Sequence, residues 1–547
     1  MLADQITTDL KQAIESLVKD GTWPELTLPD IRLDRPDQEV HGDFASNISM
    51  QLAPQVKKSP LEIAGDIKDR LTGEYDKVQI VHPGFLNIFV GSSQLAIELA
   101  AILEAGDGYG DSEEGKGQKI LLEFISANPT GPLTLPNGRG GYLGDVLARA
   151  HKALGYKVTT EYYVNDRGNQ IDILGESVAR RWLQKQGVNV PYPEELYQGD
   201  YISDLADQLE MKDYKLTNLK KMEWVKGRVK ELALQLMLKE IQRVVKDKMK
   251  IKFDVWNSEK QIYDQKLPEV MLAKLQEIGS VYQQEGATWL KTSEFGDDKD
   301  RVLIKSSGEG AYLQGDLSLF YERSFTRRQN KVIVILGADH HGYEKRLKAL
   351  PKLLKSDTEF DLIFTQMATL MKDGQEVRMS KRKGNFVTIE ELIDEVGNDV
   401  ARFFFLMYSA NRHLNFDLDL AKEESDKNPV FYVQYAYARI CSVLREVHKA
   451  TPVTHQDLKI TEDAERELIK TLLVLPGLLH DVVENYEAHH LTTYAMAVAR
   501  AFHHFYAHCR VIDQGEINPS RVALVKATKL VLKKTLDTLG VAAPEKM

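Results

Sequence analysis

Two stretches of this chain concentrate the residue types that handle phosphate. In the first, Leu122-Glu123-Phe124-Ile125-Ser126-Ala127-Asn128 runs from an apolar segment into the turn Pro129-Thr130-Gly131-Pro132, and Gly138, Gly140 and Gly141 follow. A buried strand that ends in a small-residue turn before a helix presents unpaired backbone N–H groups, where a nucleotide phosphate can dock. The glycines would let a bulky ligand approach the backbone. Read alone, a purely structural turn explains these residues equally well. In the second stretch, Arg378, Lys381, Arg382 and Lys383 put four cations into six positions. Cations beside a nucleotide can neutralise charge that develops on transferring phosphates. Read alone, a solvated charged face is the plainer account of that run. Thr388-Ile389-Glu390-Glu391 then supplies a capping box for a following helix.

Two better-known phosphate signatures fail. Gly138-Arg139-Gly140-Gly141 begins like a dinucleotide loop, but Leu143 stands at the third glycine position. Gly110–Lys116 begins like a P-loop, but Gly117 replaces the hydroxyl residue and a strand follows where a helix is needed. His340-His341 could suggest a metal, but adjacent side chains point apart and no further ligands cluster nearby, so no metal site is expected.

The elements that must position these residues follow from the hydrophobic pattern. Residues 1–20 read as a helix with Leu10, Ile14 and Leu17 on one face, and Val78–Val81 with Phe85–Val90 read as a hairpin around Pro83-Gly84. Ile120–Ile125, a helix around Tyr142–Ala153 and Val158–Val164 form a strand–helix–strand unit. The alternation returns at Val332–Leu336, a helix from Tyr343 to Leu354 and a strand near Leu362–Met367, which implies a parallel sheet. Residues 168–250 are helical and lysine-rich. From 421 onward the pattern is all helical, and Asn428-Pro429 makes a helix start.

Composition narrows the class. The chain has 547 residues, 43% apolar and 28% charged, which is multidomain globular composition and excludes wholesale disorder. A net charge of −10 argues against a generally cationic nucleic-acid binder but leaves room for local positive surface. Residues 520–547 carry six cations against two acids. Two cysteines, Cys441 and Cys509, are too few for a disulfide framework or a cysteine-based zinc site. With no membrane-length apolar run and no signal-peptide pattern, a soluble cytoplasmic protein is expected.

The two phosphate-handling stretches together resemble the HIGH and KMSKS signatures of class I aminoacyl-tRNA synthetases. Asn128-Pro129-Thr130-Gly131-Pro132-Leu133, Tyr162-Tyr163-Val164-Asn165-Asp166-Arg167-Gly168-Asn169-Gln170 and Gly337-Ala338-Asp339-His340-His341-Gly342-Tyr343 resemble the core of arginyl-tRNA synthetases. Gly42-Asp43-Phe44-Ala45, Pro83-Gly84-Phe85, Phe403–Leu406, Asn428-Pro429-Val430 and Arg521–Met547 are similar to that family's outer regions. The resemblance implies a Rossmann-like α/β catalytic domain at 118–370, with a helical insertion near 168–250. It further implies an N-terminal α/β tRNA-binding domain at 1–105, a KMSKS loop and stem-contact region at 371–420, and an all-α anticodon-binding bundle at 421–547. The implied reaction is ATP-dependent activation of L-arginine and its transfer to tRNA(Arg). Mg2+ would accompany ATP, and a monomer without structural metal is expected.

The same resemblance assigns roles. Lys381 would act on the phosphates, with Arg378 in the place of the motif's first lysine, and Met379 and Ser380 beside ATP. Glu259 and Asp316 would grip the substrate guanidinium, for which paired carboxylates are the natural partners. Ser126, Asn128, Tyr312 and Asp339 would complete the arginine site; Asp339 falls where many relatives carry glutamine. Gly138 and Gly140 would face ATP. The HIGH quartet becomes Thr134-Leu135-Pro136-Asn137. Thr134 and Asn137 can still donate hydrogen bonds to phosphate oxygens, whereas Pro136 removes an N–H and adds bulk beside the adenine position. Three readings follow: an active variant, a catalytically weak tRNA-binding paralogue, and a different class I synthetase.

Overall fold

The computed structural model describes residues 2–34, 36, 39–209, 222–377, 388–447 and 457–547, with the side chains of 3, 4, 39 and 222–224 left aside. At its centre lies a five-stranded parallel sheet built from Lys119–Glu123, Lys157–Val164, Val255–Ser258, Lys331–Gly337 and Glu359–Thr365. In space, Lys119–Glu123 lies between Lys331–Gly337 and Lys157–Val164, with Glu359–Thr365 and Val255–Ser258 at the edges. Ile120, Leu121 and Leu122 are buried, as are Val332 to Ile335. Such continuous apolar runs are what a parallel strand covered on both faces requires. The strand order reverses between Lys119–Glu123 and Lys331–Gly337, so a crevice opens beyond their carboxyl ends.

One helix dominates that crevice. Leu135–Ala153, the entrance helix, starts seven residues before the hydrophobic periodicity predicts. Its first half is rich in glycine and polar residues, which hide the apolar stripe. Pro136 sits in the first turn, where a missing N–H leaves no helical hydrogen bond unmade. A Cβ on Gly144 would come within 2.2 Å of the Phe124 ring, and one on Gly141 within 2.8 Å of Met249 and 2.9 Å of Ile125. These two glycines serve close packing of the helix against the first strand's exit. At Gly138, a Cβ would lie 2.4 Å from Ile389, so a protein side chain fills that space too.

The predicted helix at Tyr343–Leu354 is instead a tight turn over Ala338–Tyr343 and two short helices, Glu344–Lys348 and Leu350–Leu353. A small antiparallel sheet, Val281–Gln284, Ala287–Leu290 and Arg301–Ile304, lies between the two halves of the parallel sheet in the chain. Near the N-terminus, Tyr75–Val81 and Phe85–Val90 pair as the expected hairpin in a four-stranded antiparallel sheet. The C-terminal part is a bundle that includes Pro429–Glu446, His489–His508 and Pro519–Leu539. Asn428 caps the first of these by accepting from the Val430 N–H at 3.0 Å. No helix among the described residues is long and apolar enough to cross a membrane.

Candidate active site

The first strand leaves the sheet through a strained corner. Ile125 and Ser126 both have positive φ, 66° and 38°, and the Ser126 N–H closes a three-residue turn onto the Phe124 carbonyl at 2.9 Å. A β-branched residue in that region is costly, and such strain persists where neighbours over-determine it. Here Ser126 Oγ accepts from the Tyr163 N–H at 3.1 Å, and the Tyr162 hydroxyl donates to the Ala127 carbonyl at 2.8 Å. Asn128 Nδ2 donates to Gln170 Oε1 at 2.7 Å. Ser126 and Asn128 are therefore fixed at the mouth of the crevice by the neighbouring strand and the helix after it.

Thr134 and Asn137 lie at the start of the entrance helix and face each other. Asn137 Oδ1 accepts from the Thr134 N–H at 2.9 Å and from Thr134 Oγ at 3.0 Å. Using its oxygen to cap the helix leaves the Asn137 amide N–H groups without a partner among the described residues. Thr134 also bridges to Thr388, and the Ile389 N–H donates to the Leu133 carbonyl at 3.0 Å. Thr388 accepts from the Glu391 N–H at 3.0 Å, as the capping-box reading requires. Arg378, Met379, Ser380 and Lys381 lie outside the described residues. Their segment is bounded by Val377, whose N–H bonds to the Leu370 carbonyl at 2.9 Å, and by Thr388 beside Thr134.

Glu259 and Asp316 come together on the other side of the crevice. Glu259 opens the helix Glu259–Asp264 after the edge strand, and Asp316 lies in Tyr312–Tyr321. Burial raises the Glu259 carboxyl above its ordinary value, with Arg167 acting against the rise. Asp316 is pushed up to about 7, first by burial and then by the charges of Glu123 and Glu259. Neither carboxylate has a hydrogen-bond partner among the described residues. Tyr163 lies near enough to feel both and stays a neutral phenol, its pKa raised by burial and then by the Glu259 and Asp316 charges. The Arg167 guanidinium stacks 3.6 Å from the Tyr263 ring at the rim. Tyr312 and Asp339 do not join this group. Tyr312 is 96% exposed, and the Asp339 side chain is 82% exposed.

Three features escape motif reading. Arg139, 2% exposed, donates to the carbonyls of Gln366 at 2.9 Å, Ser409 at 2.9 Å and Arg412 at 2.7 Å. Burial lowers its pKa to about 10. Glu123 and Glu161, on adjacent strands, are both buried against Arg323. Their signal in the sequence is a carboxylate next to an apolar or aromatic run, Glu123 after Ile120-Leu121-Leu122 and Glu161 before Tyr162-Tyr163-Val164, where a buried charge is rarely accidental. Two acid–histidine clusters close enough to share a cation, Glu487/His489/His490 and His480/Asp481/Glu484, lie on the bundle. His341 stacks on Phe364 at 4.1 Å, while His340 lies 3.7 Å from Asp339.

A catalytic-domain family, tRNA synthetases class I (R), matches residues 98–412 of this chain. The arginyl tRNA synthetase N terminal domain matches 4–90, and the DALR anticodon binding domain matches 433–547. The chain belongs to the arginyl-tRNA synthetase family. It is 40% identical over 557 residues to the arginine–tRNA ligase of Anoxybacillus flavithermus, covering all of both chains. It is 38% identical over 588 residues to that of Thioalkalivibrio sulfidiphilus, again covering both completely. The solved arginyl-tRNA synthetase of Thermus thermophilus shares the fold at a TM-score of 0.77 and 19% identity, with both chains covered completely. Within arginyl-tRNA synthetases the reading as a different class I enzyme falls away.

Proposed function

We propose that this protein is an arginine–tRNA ligase whose guanidinium site is the Glu259–Asp316 pair. The arginine carboxylate attacks the α-phosphate of ATP, pyrophosphate leaves, and the terminal ribose hydroxyl of tRNA(Arg) then takes the arginyl group. The observation that carries the reading is the pair itself. Two carboxylates held together with free acceptor oxygens, beside a neutral tyrosine, suit a planar cation with five donors. Ser126 and Asn128 would hold the amino and carboxylate groups; Tyr312 and Asp339, which stand exposed away from the carboxylate pair, would reach the substrate only by moving in from the rim.

For the nucleotide, the entrance helix presents its first-turn N–H groups and the free Asn137 amide to the phosphates. Thr134, Pro136, Gly138 and Gly140 would border ATP there. Lys381, Arg378, Met379 and Ser380 would reach the phosphates from a segment whose far end is bridged to Thr134. Mg2+ would arrive with ATP and supply charge neutralisation at the phosphates. The work of this chain is positioning and electrostatic stabilisation.

On the bundle, Phe431, Tyr435 and Arg439 recur every four residues along one helix face. The Phe431 and Tyr435 rings are parallel within 5°, and Arg439 sits 5.3 Å from the Tyr435 ring and 5.1 Å from that of Tyr506. Aromatic rings interleaved with a cation suit unpaired bases, so this face is assigned to the tRNA anticodon loop. Such a partner belongs to the cytoplasmic pool of tRNA.

Pyrophosphate exchange with each of the twenty amino acids, with and without tRNA, tests the whole reading. Exchange with arginine above all others is the expected result. Protein that binds ATP and tRNA but forms no arginyl-adenylate would instead be a tRNA-binding paralogue.

A further inference from the structure

Glu123 and Glu161 are direct neighbours in the register of two parallel strands, an arrangement that repels unless a cation lies between them. Arg323 is that cation. It is 3% exposed, its Nε donates to Glu161 at 2.9 Å, and its Nη2 reaches both glutamates. Burial works against ionising Glu161, yet Arg323 and Arg327 together hold its carboxyl below the ordinary value. Arg323 follows Asp316 by seven residues, a little under two turns along a helix that widens to a π turn at Glu322–Thr326, so the two lie on neighbouring parts of one face. Strand alternation likewise puts Tyr163 on the face of Glu161. The buried cluster therefore lies on the Asp316 side of the helix and near enough for the charges of Glu123 and Arg323 to act on its carboxylate.

We propose that Arg323 is a positioning residue of the arginine site, which fixes through Glu123 and Glu161 the charge that Asp316 offers to the substrate guanidinium. The proposal rests on the reading of Asp316 as a guanidinium ligand. Several groups act on Asp316 across the packed elements. Glu123 comes from the first strand, Tyr163 from the second, Glu259 and Tyr263 from the helix after the edge strand, Arg323 from its own helical stretch, and Arg346 from Glu344–Lys348. Glu123 and Glu259 favour its protonated form, and Arg323 and Arg346 favour the carboxylate. Arginine needs the carboxylate. Loss of Arg323 must therefore move the acid limb of arginine kcat/KM to higher pH, and loss of the Glu123 charge must move it to lower pH.

The test measures aminoacylation rates of the full-length protein with tRNA(Arg) and ATP from pH 5.5 to 9. Arg323→Met should shift the limb up by about one pH unit and raise the arginine KM about tenfold below it, with the ATP KM within about twofold. Arg323→Lys should restore the limb. Glu123→Gln, in which Arg323 keeps Glu161, should shift it the opposite way, and it decides alone if Arg323→Met does not fold. A limb that stays in place in Glu123→Gln, or moves in the same direction in both variants, overturns the proposal. Asp316→Asn separates the two ideas. If that variant leaves the arginine KM unchanged, the site reading itself fails; if it raises KM while the limb never moves, only the role of Arg323 fails.

Discussion

A lysine ammonium between Glu259 and Asp316 could meet one carboxylate well but could not bond both in the plane that a guanidinium spans. The second, half-buried carboxylate would stay under-paired, which is the expensive outcome in a site with unused acceptors. Lysine should therefore be rejected strongly, and Asp316→Asn should raise the arginine KM by the equivalent of roughly 2–4 kcal/mol. Because Asp316 titrates near 7, arginine kcat/KM should fall as pH drops through that value and the proton blocks guanidinium binding. The Asp316→Asn profile should lose that limb, and steady-state rates across pH check it. Nothing in Thr134 or Asn137 titrates there, so the limb belongs to the amino-acid side of the site. Asn137 carries two loads that substitutions can separate. Asn137→Ala removes both the cap and the free amide, so it should cost about 1 kcal/mol of stability and lower kcat roughly ten- to a thousandfold. Asn137→Asp keeps the capping oxygen, so it should restore the unfolding midpoint but not the rate. A wild-type rate in either variant would remove Asn137 from the phosphate site.

At the scale of elements, the entrance helix is held from below by Arg139, whose guanidinium spans carbonyls at Gln366, Ser409 and Arg412. These carbonyls flank the strands Ala368–Lys372 and Leu414–Asp417, so Arg139 ties the nucleotide end of the helix to the unit that carries the 378–387 segment. Arg139→Met takes the shared donor from the Gln366 and Arg412 carbonyls, while the Ser409 carbonyl keeps the Arg412 N–H at 3.1 Å, and it buries an uncharged side chain where the guanidinium tied three segments together. It should cost about 3–5 kcal/mol in denaturant unfolding, far more than the 0.5 kcal/mol or so of a surface change. Much of this architecture was legible from sequence. The alternating strands and helices, the Asn428 and Thr388 caps, and the hairpin at Pro83-Gly84 all have local physical signals. The entrance helix was located but begun too late, because Asn137, Arg139 and four nearby glycines interrupt its periodicity. The small antiparallel sheet was missed because its strands are four residues each, too short for alternation to register. Arg139 looked like part of a glycine-rich ligand loop, since no sequence pattern reveals carbonyls more than 220 residues away.

The main apolar core takes in residues from Leu2 to Val541 and so joins all three parts of the chain, with two smaller cores around Met271, Leu317 and Leu353 and around Leu121, Val332 and Val334. Arg402, fully buried, joins Asp145 of the entrance helix at 2.5 Å to the carbonyls of Met249 at 3.0 Å and Leu539 at 3.2 Å. Cutting off the bundle would uncover that charge, so the bundle's role is better tested by substitution than by deletion. With a net charge of −10, tRNA must meet positive surface that the protein has not already neutralised. The cations of the last helix do not qualify as a group. Arg521 pairs with Glu465, Lys529 with Glu545, Lys533 with Asp537 and Lys534 with Asp111. Arg439 differs, because its charge lies between tyrosine rings and its hydrogen bond at 2.9 Å is to the neutral Tyr435 hydroxyl. Arg439→Ala should raise the tRNA KM about tenfold or more and reduce the slope of log affinity against log salt by about 1. Tyr435→Ala should weaken tRNA by roughly 1–3 kcal/mol with a smaller change in slope, as loss of stacking predicts. Lys533→Ala, which frees the Asp537 carboxylate, should stay within about threefold of wild type. Equal losses at Lys533 and Arg439 would mean that the nucleic acid is drawn by diffuse charge, and the aromatic face would then lose its assignment.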